Sequence, residues 1–313
     1  MVAFLAKRVL SVIPVMAIVS IVVFLLLRLS PGDPALVIAG DNADAEAVQR
    51  IRVALGLDQP LLTQFWVWLR HMLSGDLGTS IFSKLPVTDL ILQRAEPTVS
   101  LALATMVFAI GVAIPLGTIA GATAGSWLDR TLMAVSVVGF SLPAFVLGYC
   151  MIYVFALQLG WAPVQGFTSI SKGFLPFLHS IALPALTLGL AYMVLIARIT
   201  RASVLEMMGE DFIRTARAKG VVERLVVTHH ALRNAAIPIL TIIGIGVALL
   251  ISGVVVIETV FNIPGIGRLV VDAILKRDYP VIQGVILLFS AVYVLINLAI
   301  DVGYAFLDPR VRY

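Results

Sequence analysis

The chain has 313 residues, 60% hydrophobic and 13% charged, against about 25% charged in an ordinary soluble domain. A mean hydropathy of +1.04 argues against a soluble globular protein, and the single cysteine, Cys150, excludes an internal disulfide framework or a thiolate metal cluster. The net charge of +4 suits anionic lipid or an acidic partner, but no zinc finger or other nucleic-acid module accompanies it, so no nucleic-acid partner is expected.

The chain opens with Lys7 and Arg8, then an apolar run from Val9 to Leu27. That run is long enough to span a bilayer, and no small-residue cleavage site follows it, so it is read as a retained first helix over 9–29. The next region, 31–96, carries two helical patterns. One covers the stretch that begins "DAEAVQRIRVALGL". The other shows Leu61, Leu62, Phe65, Trp66 and Leu69 as an apolar stripe. This region either folds over the mouth of the bundle or rests on lipid headgroups, with Trp66 and Trp68 at the aromatic belt.

Further spans are expected at roughly 97–128, 131–157, 179–200, 235–257 and 279–303, which makes six in all. Pro115, Pro143 and Pro184 are expected to kink them. Gly117, Gly121 and Gly125, spaced by four, place a smooth strip on one helix face where a neighbour can approach. Charge is nearly missing from the span centres, with Glu258 and Asp301 near span ends and His179 at the start of the fourth. HExxH, GxSxG and Walker A patterns are absent, so no catalytic or metal site is expected. His229 and His230 are adjacent, and helical neighbours point about 100° apart, a poor geometry for one metal ion. An all-α polytopic membrane bundle without its own energy source fits a passive channel, a scaffold, an ion-coupled carrier or a gate driven from outside.

Six crossings put both termini on one side. Basic residues in the short loops place that side in the cytoplasm. The segment between the fourth and fifth spans, about 201–234, is then cytoplasmic. From Arg198 to Arg233 it carries seven basic and four acidic residues. Asp211 favours a helix start, "FIRTARAKG" forms a short helix, Gly220 turns it, and "VVERLVVTHHALRNA" resumes helical spacing. Phe212, Ile213 and Ala216 are expected on its buried face.

This segment resembles the coupling loop of ABC-transporter permeases. Against the general motif, the glycine falls on Gly220 and the later leucine on Leu232. The EAA triplet falls on Arg214, Thr215 and Ala216, keeping only the last alanine, and Arg233 stands where the final proline is usual. The subfamily likeness is closer. "FIRTARAKG" and "HALRNAAIP" are similar to the first permease subunit of dipeptide, oligopeptide and nickel importers. So are "LLLRLSPGDP" at 25–34, "LGLDQPLLTQFWVWL" at 55–69, "GDLGTSI" at 75–81, "ETVFNIPGIGRLVVDAILKRDYPVIQGVILL" at 258–288 and "LDPRVRY" at 307–313. The likeness covers essentially the whole chain in order.

The resemblance implies a type I importer permease in a bacterial or archaeal plasma membrane, with six transmembrane helices. Residues 1–30 hold the first helix, 31–96 an extracytoplasmic family-specific loop, 97–306 the permease core and 307–313 a cytoplasmic tail. It implies a second homologous permease, two cytoplasmic ATP-binding subunits that hold ATP and Mg, and an extracytoplasmic substrate-binding protein. By the same resemblance the chain itself would hold no cofactor and would not be an enzyme. Phe212, Ile213, Arg214, Thr215, Ala216, Arg217, Ala218, Lys219 and Gly220 would couple to the ATPase. Arg214, Arg217 and Lys219 would either pair with ATPase acids or keep the helix soluble. The implied cargo is a di- or oligopeptide, with nickel or glutathione as alternatives. A zwitterion needs a wet path, and Thr105, Ser136, Ser141, Gln283 and Asn297 either line it or bond to helix backbone.

Overall fold

The computed structural model describes residues 2–29, 35–36, 44–54 and 56–307. Every long element among them is helical. In chain order these are α1 (Val2–Leu29), α2 (Ala45–Ala54), α3 (Leu61–Leu73), α4 (Val87–Ala122), α5 (Trp127–Ser141), α6 (Ala144–Met151), α7 (Phe174–Met208), α8 (Asp211–Ala218), α9 (Ala236–Val260), α10 (Ile266–Lys276) and α11 (Tyr279–Leu307). Of the expected tail 307–313, only Leu307 lies within the described residues, and 31–34, 37–43 and 55 of the expected loop lie outside them.

Four helices among the described residues are long and apolar enough to cross a membrane: α4, α7, α9 and Tyr279–Tyr304 of α11. Leu10–Leu26 of α1 and Ala144–Gln158 are shorter apolar helices. The expected third span, 131–157, is not one helix. Helix α5 stops at Ser141, Leu142 is extended at φ −94 and ψ 122, and Pro143 stands at the N-cap of α6. The proline ring disfavours helical geometry in the preceding residue. Pro143 therefore breaks the helix instead of kinking it, whereas Pro115 and Pro184 stay inside α4 and α7. Helix α6 runs on into a π-helical stretch, Ile152–Gln158.

Two compact units make up the chain. The first comprises Met1–Leu5, Glu96–Arg268 and Leu295–Tyr313. Its interior helix is α7, on which α5, α6 and α9 pack. The apolar window of α7 is 72% buried and that of α9 only 28%, so α9 turns most of its surface outward. The glycine strip is realised at two of its three positions. A Cβ on Gly117 would meet the Ala197 carbonyl at 2.5 Å, and one on Gly121 the Arg201 carbonyl at 2.7 Å. Gly125 lies beyond the end of α4, at φ +83 with open space around it, so it serves the turn and not the strip.

The second unit comprises Ala6–Ala95 and Leu269–Val294. Phe24 of α1 meets Phe65 and Trp68 of α3, ring centroids 5.2 and 5.6 Å apart. The stripe expected on α3 therefore splits. Phe65 packs inward together with Trp68, while Leu61, Leu62 and Trp66 are exposed. Phe65 and Trp68, three apart, meet Phe24 together, whereas Leu62 and Trp66, four apart, share the open side. The "GDLGTSI" loop is pinned by Asp278. Its buried carboxylate accepts from the Ser80 hydroxyl at 2.5 Å and from the Ile81 N–H at 3.1 Å.

Candidate functional site

Helix α7 ends at Gly209, and α8 starts after Glu210, whose backbone is extended. Asp211 lies in the first turn of α8, where a carboxylate complements the helix dipole. The other end is a Schellman closure. The Gly220 N–H donates to the Arg217 carbonyl at 2.9 Å and the Val221 N–H to the Ala216 carbonyl at 3.2 Å. This closure requires a left-handed residue, and Gly220 has φ +78 with nothing within 4 Å of where a Cβ would stand. Only backbone conformation demands glycine there. Arg217 reaches across the turn and donates twice to Glu223, at 3.1 and 2.6 Å. Each partner holds the other in its charged form, with the Glu223 carboxyl below its ordinary range and the Arg217 guanidinium above. Arg214 pairs with Asp211 at 3.2 Å. Lys219 is exposed.

The segment is docked, not loose. Ile213 and Ala216 of α8 are buried with Val204 of α7, Val226 and Ala231 of the connecting segment, and Ala235 and Ile239 leading into α9. That connection consists of Glu223–Leu225, a π-helical run Val226–Ala231, and Leu232–Asn234. Phe212 departs from expectation. It is 39% exposed, as are the flanking Val222 and Leu225 at 67% and 53%. One hundred degrees of helix rotation separate Phe212 from Ile213, enough to turn it off the docked face. The exposed residues of the segment thus include apolar Phe212, Val222 and Leu225, basic Lys219 and the Arg214–Asp211 pair. His229 and His230 stand with ring centroids 6.4 Å apart and interplanar angle 77°.

The same end of α7 carries an ion pair missed in the sequence. Asp129, 3% exposed, accepts from Arg201 Nε and, at 2.9 Å, from Arg201 Nη2. It also accepts from the Gly125 N–H at 2.8 Å. These donors, the guanidinium first, lower the Asp129 pKa from 3.8 to about 2. Ser126 caps α5 by accepting from the Asp129 N–H. Only the cap was legible, since a serine three residues before an acid at the head of an apolar run is a capping pattern, while Arg201 lies 72 residues away.

A second missed cluster surrounds Glu258 at the end of α9. Its carboxylate is wholly buried. It accepts from Thr98 Oγ1 at 2.6 Å and from the Arg268 N–H at 2.9 Å, while Thr98 Oγ1 also accepts from the Ile266 N–H at 2.8 Å. Two otherwise unmatched amides at the head of α10 are satisfied this way. A Cβ on Gly265 would overlap the carboxylate. The acid-then-"PGIG" order marks a turn, but Thr98, 160 residues away, could not be read from it.

The residues expected along a pathway are dispersed. Thr105 is buried, with no partner for its hydroxyl among the described residues. Ser136 donates to the Leu132 carbonyl at 2.7 Å, and Gln283 to the Val23 carbonyl at 3.1 Å. Asn297 is half-buried on α11. The side chain of Ser141 lies outside the described residues.

Two family models match. "Binding-protein-dependent transport system inner membrane component" covers residues 113–313. Its N-terminal counterpart covers 1–102. A "probable peptide ABC transporter permease protein y4tP" of Sinorhizobium fredii is 52% identical over 310 residues, 99% of each chain. The "glutathione transport system permease protein GsiC" of Escherichia coli is 47% identical over 313 residues, 100% of each chain. Among solved structures, two inward-facing forms of the MetNI methionine ABC transporter align at TM-scores of 0.58 and 0.59. They are 19% and 21% identical, covering 70% and 71% of this chain and 96% and 97% of theirs. At that identity the likeness is one of fold.

Proposed function

The chain belongs to the binding-protein-dependent transport system inner membrane components, the ABC-importer permeases, and from that premise we propose that it forms half of the translocation pathway of a di- or oligopeptide importer. Membership sets aside a non-transport scaffold and an ion-coupled carrier. The observation that carries the coupling proposal is segment 211–235. Its inner face is buried on the bundle, and its exposed residues include Phe212, Val222 and Leu225, Lys219 and the Arg214–Asp211 pair. A docked segment with exposed apolar and charged residues is suited to transmit the push of an ATP-binding subunit. On this reading residues 212–220 contact that subunit, which holds ATP and Mg, and the segment faces the cytoplasm with both termini.

The remaining partners are a second homologous permease and an extracytoplasmic substrate-binding protein that delivers cargo on the side of 31–96. Six spans are proposed, with Leu10–Leu26 and Ala144–Gln158 joining the four longer helices. Peptide is the first cargo reading, supported by the y4tP relative. Glutathione, itself a tripeptide, is the second, supported by the GsiC relatives. Cells lacking the gene, complemented with the chain and its partners, are expected to regain uptake of labelled dipeptide or glutathione. Uptake of nickel alone would overturn both readings.

A further inference from the structure

Helix α3 buries only part of its apolar surface. On its wheel the apolar arc has two halves. Phe65 and Trp68 lie in one half and pack on Phe24. Leu62, Trp66 and Leu73 form the other half, within about 40° of one another at 100° per residue. They are 70%, 61% and 81% exposed. The polar side of α3 points the other way. Thr63, Gln64 and His71 line a cleft of about 570 Å³, together with Asp76 and Gln283. Thr63 and His71 stay exposed beside this cleft, so the polar side of α3 meets solvent while half of its apolar arc also has no protein over it, which water disfavours.

The anchor sets the depth. Phe24 lies at the end of the apolar run Leu10–Leu26, and that helix itself exposes Ile18, Val22 and Leu26. Trp66 combines an apolar ring with a polar N–H, and Arg70 is exposed on the polar flank of the open half. Tryptophan suits the headgroup level of a bilayer, and an arginine beside it reaches toward phosphate. We infer that α3 is an interfacial helix whose Leu62–Trp66–Leu73 face is seated in the bilayer at the headgroup boundary, with Arg70 at the phosphate level. This rests on the proposed crossing of α1.

The test uses the full chain with its partner subunits in phospholipid nanodiscs. Trp68→Phe, Trp127→Phe and Trp161→Phe leave Trp66 as the chain's tryptophan, and retained uptake shows that the variant folds. Lipid brominated close to the carbonyls is expected to quench Trp66 more strongly than lipid brominated near the chain ends, with aqueous acrylamide quenching weakly. Strong acrylamide quenching with no bromolipid effect would overturn the inference. So would protection from both, which means that protein covers the face. A parallel Ile18→Trp probe with Trp66→Phe separates the two readings. If position 18 is quenched by deep bromolipid and 66 by none, α1 crosses and the inference fails; if neither is quenched, the crossing of α1 fails with it. As an independent measurement, a nitroxide on Leu73→Cys with Cys150→Ser is expected to relax faster with oxygen than with an aqueous nickel chelate. The opposite order contradicts the inference.

Discussion

Ile213 and Phe212 are neighbours with opposite tasks. Ile213 is fully buried in the cluster that fastens α8, whereas Phe212 is 39% exposed. Ile213→Ala is expected to cost about 2–5 kcal/mol, the range for emptying a buried aliphatic site. Phe212→Ala should leave thermal unfolding nearly unchanged and lower substrate-stimulated ATP hydrolysis by the assembled complex. Melting curves and ATPase rates on the same preparations check the split. Asp129 gives a pH signature. Its pKa is depressed from 3.8 to about 2, so its pairing with Arg201 stabilises the fold above the unfolded value and is lost as pH falls through the folded one. The stability gap between wild type and Asp129→Asn should be full above pH 4 and close as pH drops toward 2. Melting in acid-tolerant detergent measures it, and a gap that does not change with pH contradicts the assignment.

At the level of elements, the contact between α4 and α7 depends on missing side chains. Gly117→Ala would place a Cβ at 2.5 Å from the Ala197 carbonyl, between helix backbones that cannot yield cheaply. Gly111 lies on the same helix with open space around it. Gly117→Ala is expected to lower the melting temperature, while Gly111→Ala should leave it unchanged or raise it, through a stability gain of up to about 1 kcal/mol. Thermal unfolding of the two variants decides it. This strip was legible because spacing by four needs no tertiary knowledge. Gly220 was legible too, since a glycine after a short charged helix has few other uses. What escaped reading depended on distant partners. The Asp129–Arg201 pair spans 72 residues and the Thr98–Glu258 bond 160. The inward turn of Trp68 is set by Phe24, which periodicity on α3 alone cannot supply. Pro143 was noticed, but whether a proline bends or ends a helix depends on the next turn, and here Leu142 becomes extended.

At the scale of the whole molecule, one short segment is docked on the long helices of its unit. Helix α7 continues from the buried core of its unit to Val204, where α8 and the head of α9 join it. Force applied to α8 therefore reaches two apolar helices through one cluster, with Arg217–Glu223 closing the turn between. On the proposed function, an ATP-binding subunit supplies that force at the exposed side of α8. The most direct measurement is cross-linking from position 212 in membranes that contain the assembled importer. The chain carries Cys150→Ser and Phe212→Cys, and a short thiol-to-amine reagent is added with and without ATP. An adduct between this chain and an ATP-binding subunit is expected, its yield altered by ATP. Failure to form that adduct, while the complex still imports substrate, would contradict it.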